Sequence, residues 1–204
     1  AYRGQMERLI VNWRTQWGID FPFYFVQLPN FMAPWQSPVE DGGSPQIRES
    51  FAKTAKEVPN TGMAITIDIG EENDIHPKNK QDVGDRLARV ALRKTYGLQG
   101  FAWNGPVAES CKFADGKAVV RFDNGGAPLA VKGGAKLFGF ALTGEDGLTV
   151  HADAVIAGTD TVVVSSPKVP QPTVVHYAWA NNPVGVNLAN AEGLPASPFR
   201  FGEK

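Results

Sequence analysis

Two short and almost unbroken apolar runs, residues 21–28 (FPFYFVQL) and 63–69 (MAITIDI), constrain the fold of this chain more than any other feature. A strand wetted on one side alternates apolar and polar residues, whereas an unbroken run is covered on both faces. Helical patterns flank both runs. Tyr2, Met6, Leu9, Ile10, Trp13 and Trp17 fall at helical spacing before Gly18, predicting a first helix with Trp13 and Trp17 in the core. Ser44 as N-cap and Pro45 at the first helical position predict a second helix, with Ile47, Phe51, Ala55 and Val58 on one face. Pro77 is expected to open a third. There Val83, Leu87, Val90 and Ala91 would face inward, and Asp85, Arg86, Arg89 and Arg93 would face solvent. Helices alternating with doubly covered strands describe an α/β arrangement with a parallel sheet.

Near residues 97–100 the pattern changes. Turn signals then recur about every ten residues, among them Asp115-Gly116, Asn124-Gly125-Gly126, Gly133-Gly134 and Gly158-Thr159-Asp160. Short strand-like segments lie between them, at 118–122, 137–142, 150–156, 161–164 and 173–179. This reads as an antiparallel β-sandwich. Two domains are therefore expected, an α/β part over 1–97 and a β-sandwich over 98–204.

Charge narrows the choice of partners. The 20 basic and 21 acidic residues leave a net charge of −1, which argues against a nucleic-acid or anionic-membrane binder, since both need clustered Lys and Arg. No apolar run approaches the roughly 20 residues of a membrane span. A single cysteine, Cys111, excludes an intrachain disulfide and a cysteine-based zinc site. The chain opens at Ala1-Tyr2-Arg3, without a methionine and within a helical pattern, which reads as a start with further sequence upstream.

In an open parallel sheet, ligands bind beyond the carboxyl ends of the strands. Two segments occupy that position. Gln27, Asn30 and a loop holding Trp35 follow the first run, and residues 71–77 (EENDIHP) follow the second. With Pro77 opening a helix, His76 would sit at the N-cap, where the helix dipole favours a neutral imidazole. Asp74, two residues earlier, can hydrogen-bond Nδ1 and leave Nε2 free to take a proton. The alternative is that His76 caps the helix and Asp74 shapes a turn. A metal site is not expected, because no second histidine lies nearby. His151 reads as a solvated sheet residue and His176 as a packed one. Trp35, in a Pro/Gly-rich loop, can stack on a sugar ring or cap the loop's own apolar cluster.

Three blocks carry a resemblance: FYFVQL-x-N-F at 23–31, PNTGMAITIDIGEENDIHPKNKQDVGDRLA at 59–88, and VVHYAWANNP-x-G-x-NL-x-N-AEGLPASPFR at 174–200. They resemble the sialate O-acetylesterase-type carbohydrate esterases of the SGNH/GDSL hydrolase superfamily. The resemblance implies a flavodoxin-like three-layer core with β-rich accessory domains. It also implies a Ser-His-Asp site without metal or cofactor, acting on acetyl esters of sugars in the periplasm or outside the cell. The family's histidine falls on His76. Many SGNH enzymes place the acid three residues earlier, where this chain has Asn73, so either Asp74 or a backbone carbonyl orients the ring. The family's nucleophilic serine and its oxyanion-hole Gly and Asn lie in blocks absent from 1–204. The chain therefore resembles the C-terminal half of the esterase domain plus a β-domain, with an upstream segment as the partner that brings the serine and oxyanion hole.

The expected activity is that of a sialate 9-O-acetylesterase, with Gln27, Asn30 and Trp35 contacting the acetylated sugar. The alternatives are an acetylxylan or other polysaccharide deacetylase, and a non-catalytic sugar-binding or structural segment.

Overall fold

The computed structural model describes residues 2–40 and 42–202; Ala1, on which part of the first-helix reading falls, lies outside the described residues. In chain order the elements are α1 (Tyr2–Trp17), β1 (Phe23–Val26), α2 (Ser44–Glu57), β2 (Thr61–Ala64) and α3 (Lys80–Lys94). There follow β3 (Val107–Ala114), β4 (Lys117–Asp123), β5 (Leu129–Val131), β6 (Phe140–Gly144), β7 (Thr149–His151) and β8 (Asp153–Ile156). The last are β9 (Thr161–Ser165), β10 (Pro172–Tyr177), β11 (Leu188–Asn190) and β12 (Phe199–Phe201).

β1 and β2 pair in parallel, from Phe23 opposite Thr61 to Val26 opposite Ala64. Helices cover both faces, as the unbroken runs require. Phe25 and Met63 pack with Phe51 of α2 and Met6 of α1. On the other face a Cβ added to Gly62 would run into the side chains of Val90 and Tyr24, so glycine is what lets α3 approach the sheet closely. The strands are shorter than the runs that announce them. Ile65 and Ile67 stay buried, but Thr66 turns its hydroxyl to the Gln27 carbonyl at 2.5 Å.

Several expectations are corrected. Trp13 and Trp17 are 48% and 69% exposed, and Ile10 is the buried residue of α1. The two indoles lie against Phe23 and Phe21 along one side only. Arg86 is buried rather than solvated, because its guanidinium meets Asp68 at 2.6 and 3.0 Å and the Ile65 carbonyl at 2.7 Å. α3 starts at Lys80 and not at Pro77, because Asn79 is the stronger cap. Its Oδ1 accepts from the Asp82 N–H at 3.1 Å, and its Nδ2 donates back to Asp82 Oδ2. α2 is likewise capped one residue early, by Gly43 at φ 65°.

Beyond α3 two four-stranded antiparallel sheets form, in the orders β3-β4-β9-β8 and β12-β10-β6-β7. They share one apolar core, with Val120, Val162 and Val164 from one sheet and Phe140, Leu142, Val175 and Tyr177 from the other. The Asp115-Gly116 turn joins β3 and β4 with φ of 52° and 72°, matching the twist of a tight hairpin. The single strand expected at 150–156 is two. The chain pairs with β6 through β7, then crosses at Ala152 to pair with β9 through β8. β5 and β11 form a separate antiparallel pair.

The α/β and antiparallel parts are stitched together by polar contacts. Arg48, fully buried, donates to the carbonyls of Leu28, Pro29, Ala180 and Asn181. Arg89 reaches Glu192 at 2.9 Å, and Lys132 reaches Asp68 at 3.1 Å.

Candidate functional site

The segments that follow β1 and β2 lie side by side at one edge of the parallel pair. A parallel bridge joins Phe31 to Glu71, and the Met32 N–H donates to the Glu72 carbonyl at 3.1 Å. Asn30 locks this edge. Its Oδ1 accepts from the Gly70 N–H at 2.7 Å, and its Nδ2 donates to Asn182 Oδ1 at 2.8 Å. Asn182 in turn donates to the Met32 carbonyl. A Cβ on Gly70 would collide with the Asn30 carbonyl, so residue 70 must be glycine for the two loops to touch.

On this edge stand Asp74 and His76. Asp74 Oδ1 accepts from the His76 backbone N–H at 2.9 Å and lies 3.1 Å from His76 Nδ1. The backbone N–H first, and then the ring, hold the Asp74 carboxyl below the usual carboxylate range. The acceptor carboxylate fixes Nδ1 as the protonated nitrogen. Nε2 has no hydrogen-bond partner among the described residues, and no Ser, Thr or Cys side chain hydrogen-bonds to the ring among them. His76 lies ahead of the α3 cap, so it is not the helix N-cap, and the contact with Asp74 is what orients its ring. Its loop is braced instead by Glu71, whose carboxylate accepts from the Lys78 backbone N–H at 3.1 Å and its ammonium at 2.8 Å. The His76 side chain is 82% exposed.

The other candidates sit elsewhere. Gln27 is fully buried, donating to Ser197 Oγ at 2.9 Å, and cannot touch a substrate; its Oε1 has no partner among the described residues. Sequence places Gln27 at a strand end, but the segment around Ser197 covers it. Asn30 bonds to Gly70 and Asn182 and so holds the two loops together. Trp35 borders a cleft of about 580 Å³ with His151 and Phe138. Its indole N–H donates to the Val184 carbonyl at 3.1 Å. His176 is buried against Trp179. Burial pushes the Cys111 thiol up to about 11, so it does not ionise to a nucleophile near neutrality. No group of three or more His, Cys, Asp or Glu that could hold a metal occurs among the described residues. None of their helices is long and apolar enough to cross a membrane.

No family model matches the chain. Mouse sialate O-acetylesterase is 34% identical over 125 residues, covering 52% of this chain and 22% of that protein. Human sialate O-acetylesterase is 32% identical over 111 residues, 49% of this chain and 20% of that protein. The crystal structure of a carbohydrate acetylesterase from Xanthomonas citri superposes with a TM-score of 0.91 at 41% identity. That match covers all of this chain and 46% of the other. The chain is thus similar to sialate O-acetylesterases and to a carbohydrate acetylesterase. It spans about a fifth of the length of these curated relatives.

Proposed function

We propose that this chain supplies the histidine and its orienting acid to a carbohydrate O-acetylesterase of Ser-His-Asp type. The observation that carries this reading is the contact between Asp74 Oδ1 and His76 Nδ1, beside an Nε2 open to an incoming group. His76 Nε2 takes the proton from a serine hydroxyl as its oxygen attacks the acetyl carbonyl. It then returns that proton to the departing sugar oxygen, leaving acetyl-serine. Water, deprotonated by the same nitrogen, releases acetate and frees the serine.

The serine and oxyanion hole come from a segment upstream in the whole protein, in an SGNH-type core of which residues 1–97 form the second half. Three observations support this. The matched proteins are two to five times longer than the matched region. The β1–β2 pair has an open edge on each side among the described residues. The apolar side chains Leu9, Trp13 and Trp17, spaced four residues apart along one side of α1, lie 40–69% exposed.

Acetate release from acetylated sialic acid and from acetylxylan by the whole protein tests the reading. Release is expected from at least one substrate, and His76→Ala should slow it by about a hundredfold or more. The separated 1–204 segment should be inactive on a chromogenic acetyl ester. Turnover by that segment alone would place the nucleophile within these 204 residues and refute the upstream serine.

A further inference from the structure

The cleft beside Trp35 shares no lining residue with the Asp74–His76 pair. It is built from both parts of the chain: Trp35 comes from the loop after β1, Phe138 and His151 from the β6–β7 side, and Val184 from the segment after β10. Trp35 is fixed there three times over. Its backbone N–H donates to the Asn182 carbonyl, its indole N–H to the Val184 carbonyl, and its ring meets His151 edge-to-face at 5.5 Å. Phe138 is 53% and Val184 47% exposed, and both line the cleft with the indole. Rigid aromatic and aliphatic surface held open in a concave site marks a ligand position.

At the rim, Lys136 Nζ and Asp153 Oδ1 pair at 2.8 Å. The pair offers spare N–H donors and a spare carboxylate oxygen to a ligand. It carries no net charge, and Lys136 is the one lysine or arginine lining the cleft among the described residues. An apolar floor with a neutral rim of donors and acceptors matches a sugar ring. The C–H face of the ring packs on the aromatic surface, and its edge hydroxyls bond to the ion pair. A free cation for a sugar carboxylate is missing from this set.

The cleft is also within reach of the pair. Met32 and Glu72 are joined by a hydrogen bond. The three residues from Met32 to Trp35 and the four from Glu72 to His76 extend at most about 11 and 14 Å.

We propose that this cleft is a second carbohydrate subsite, which takes an uncharged sugar ring of the glycan whose acetyl ester is presented to His76. The proposal rests on the esterase reading for its ligand class, but its test does not depend on catalysis. Cellohexaose, xylohexaose and 3′-sialyllactose, none of them acetylated, are titrated calorimetrically into the whole protein carrying His76→Ala. A neutral hexaose should bind, and Phe138→Ala should weaken it about tenfold, the effect of removing one well-packed aromatic contact. Lys136→Met should weaken it further. Melting curves check that each variant is folded, which the exposure of both side chains favours. The proposal fails if neither neutral hexaose binds, if Phe138→Ala binds as tightly as its parent, or if sialyllactose alone binds. Failure of acetate release with hexaose binding intact would refute the esterase reading and leave the subsite standing. The reverse result would refute the subsite alone.

Discussion

Arg48 Nη1 donates to the Ala180 carbonyl at 2.6 Å, tying together residues 132 positions apart in the chain. The same guanidinium takes the carbonyls of Leu28, Pro29 and Asn181, so the end of β1 and the segment after β10 share one buried cation. Burial pulls the Arg48 guanidinium down to about 10, still charged at neutral pH. Its charge is met by carbonyl dipoles, with no carboxylate in contact among the described residues. Arg48→Ala would orphan the carbonyls of Leu28, Pro29 and Ala180, while that of Asn181 keeps the Phe31 N–H, and one buried unpaired group costs about 1–3 kcal/mol. A loss of at least about 3 kcal/mol is expected in urea denaturation. Arg48→Lys should recover little of it, because an ammonium cannot spread over four acceptors as a planar fork does. Equal denaturation midpoints for Arg48→Lys and the parent would refute this account.

The parts legible in sequence were those that local pattern controls. Unbroken runs at 21–28 and 63–69 reported strands covered on both faces because burial on two sides leaves no polar position. Asp74 and His76 were legible because a two-residue spacing brings a carboxylate to an imidazole without help from the rest of the fold. Long-range partners were not. Arg86 and Arg89 read as solvent-facing, since a charge on a helix ordinarily is, but Asp68 and Glu192 wait for them across the fold. Gln27 read as a strand-end ligand because the segment that buries it lies 170 residues away. Trp13 and Trp17 read as core from spacing alone, and spacing cannot say whether a neighbour covers the face. The start of α3 is legible as well: Asn79 followed three residues later by Asp82 is a stronger start signal than Pro77.

Asp68 and Arg86 should set the acid limb of stability. Burial by itself would raise the Asp68 carboxyl, but the hydrogen bonds and charge of Arg86, helped by Lys132, outweigh it and lower it below the ordinary 3.8. The unfolded chain therefore binds this proton more readily than the folded one. The contribution is complete at pH values above about 4 and is lost as pH falls through the lower, folded value. Melting temperature against pH should drop steeply below pH 4. In Asp68→Asn this site's share of the drop should vanish, while stability at neutral pH falls by about 3 kcal/mol from the unpaired Arg86. An unchanged acid limb in Asp68→Asn would refute the assignment.

On the esterase reading proposed above, the Asp74–His76 pair divides its work unequally in the whole protein. His76→Ala removes the proton acceptor and should lower kcat by about 10²–10⁴. Asp74→Ala leaves the ring in place but free to rotate and to change tautomer, so its loss should be real and smaller. The KM for the acetylated sugar should stay near the parent value in Asp74→Ala, because Asp74 touches the ring rather than the sugar. A raised KM with normal kcat would make Asp74 a binding residue instead. If Asp74→Ala turns over at the parental rate, a backbone carbonyl is the orienter.

Gln27 offers the sharpest contrast between a ligand contact and a packed amide. It is fully buried, with Nε2 bonded to Ser197 and Oε1 unpartnered among the described residues. Gln27→Leu loses the hydrogen bond to Ser197, worth about 1 kcal/mol, and a long one to the Arg48 carbonyl at 3.5 Å, and at the same time removes a buried acceptor with nothing to accept. The two effects offset, and the variant should denature within about 1 kcal/mol of the parent. Gln27→Glu has almost the same shape but must bury a carboxylate at a side chain that bonds to no lysine or arginine side chain among the described residues, costing several kcal/mol or forcing the group to stay protonated. Its deficit should therefore be large at neutral pH and shrink as the solution is acidified toward pH 4, opposite in sign to the Asp68 effect. If Gln27 faced the substrate and solvent, both variants would keep parental stability at every pH. Urea midpoints for the three proteins at pH 4.5 and pH 7.5 decide between these outcomes.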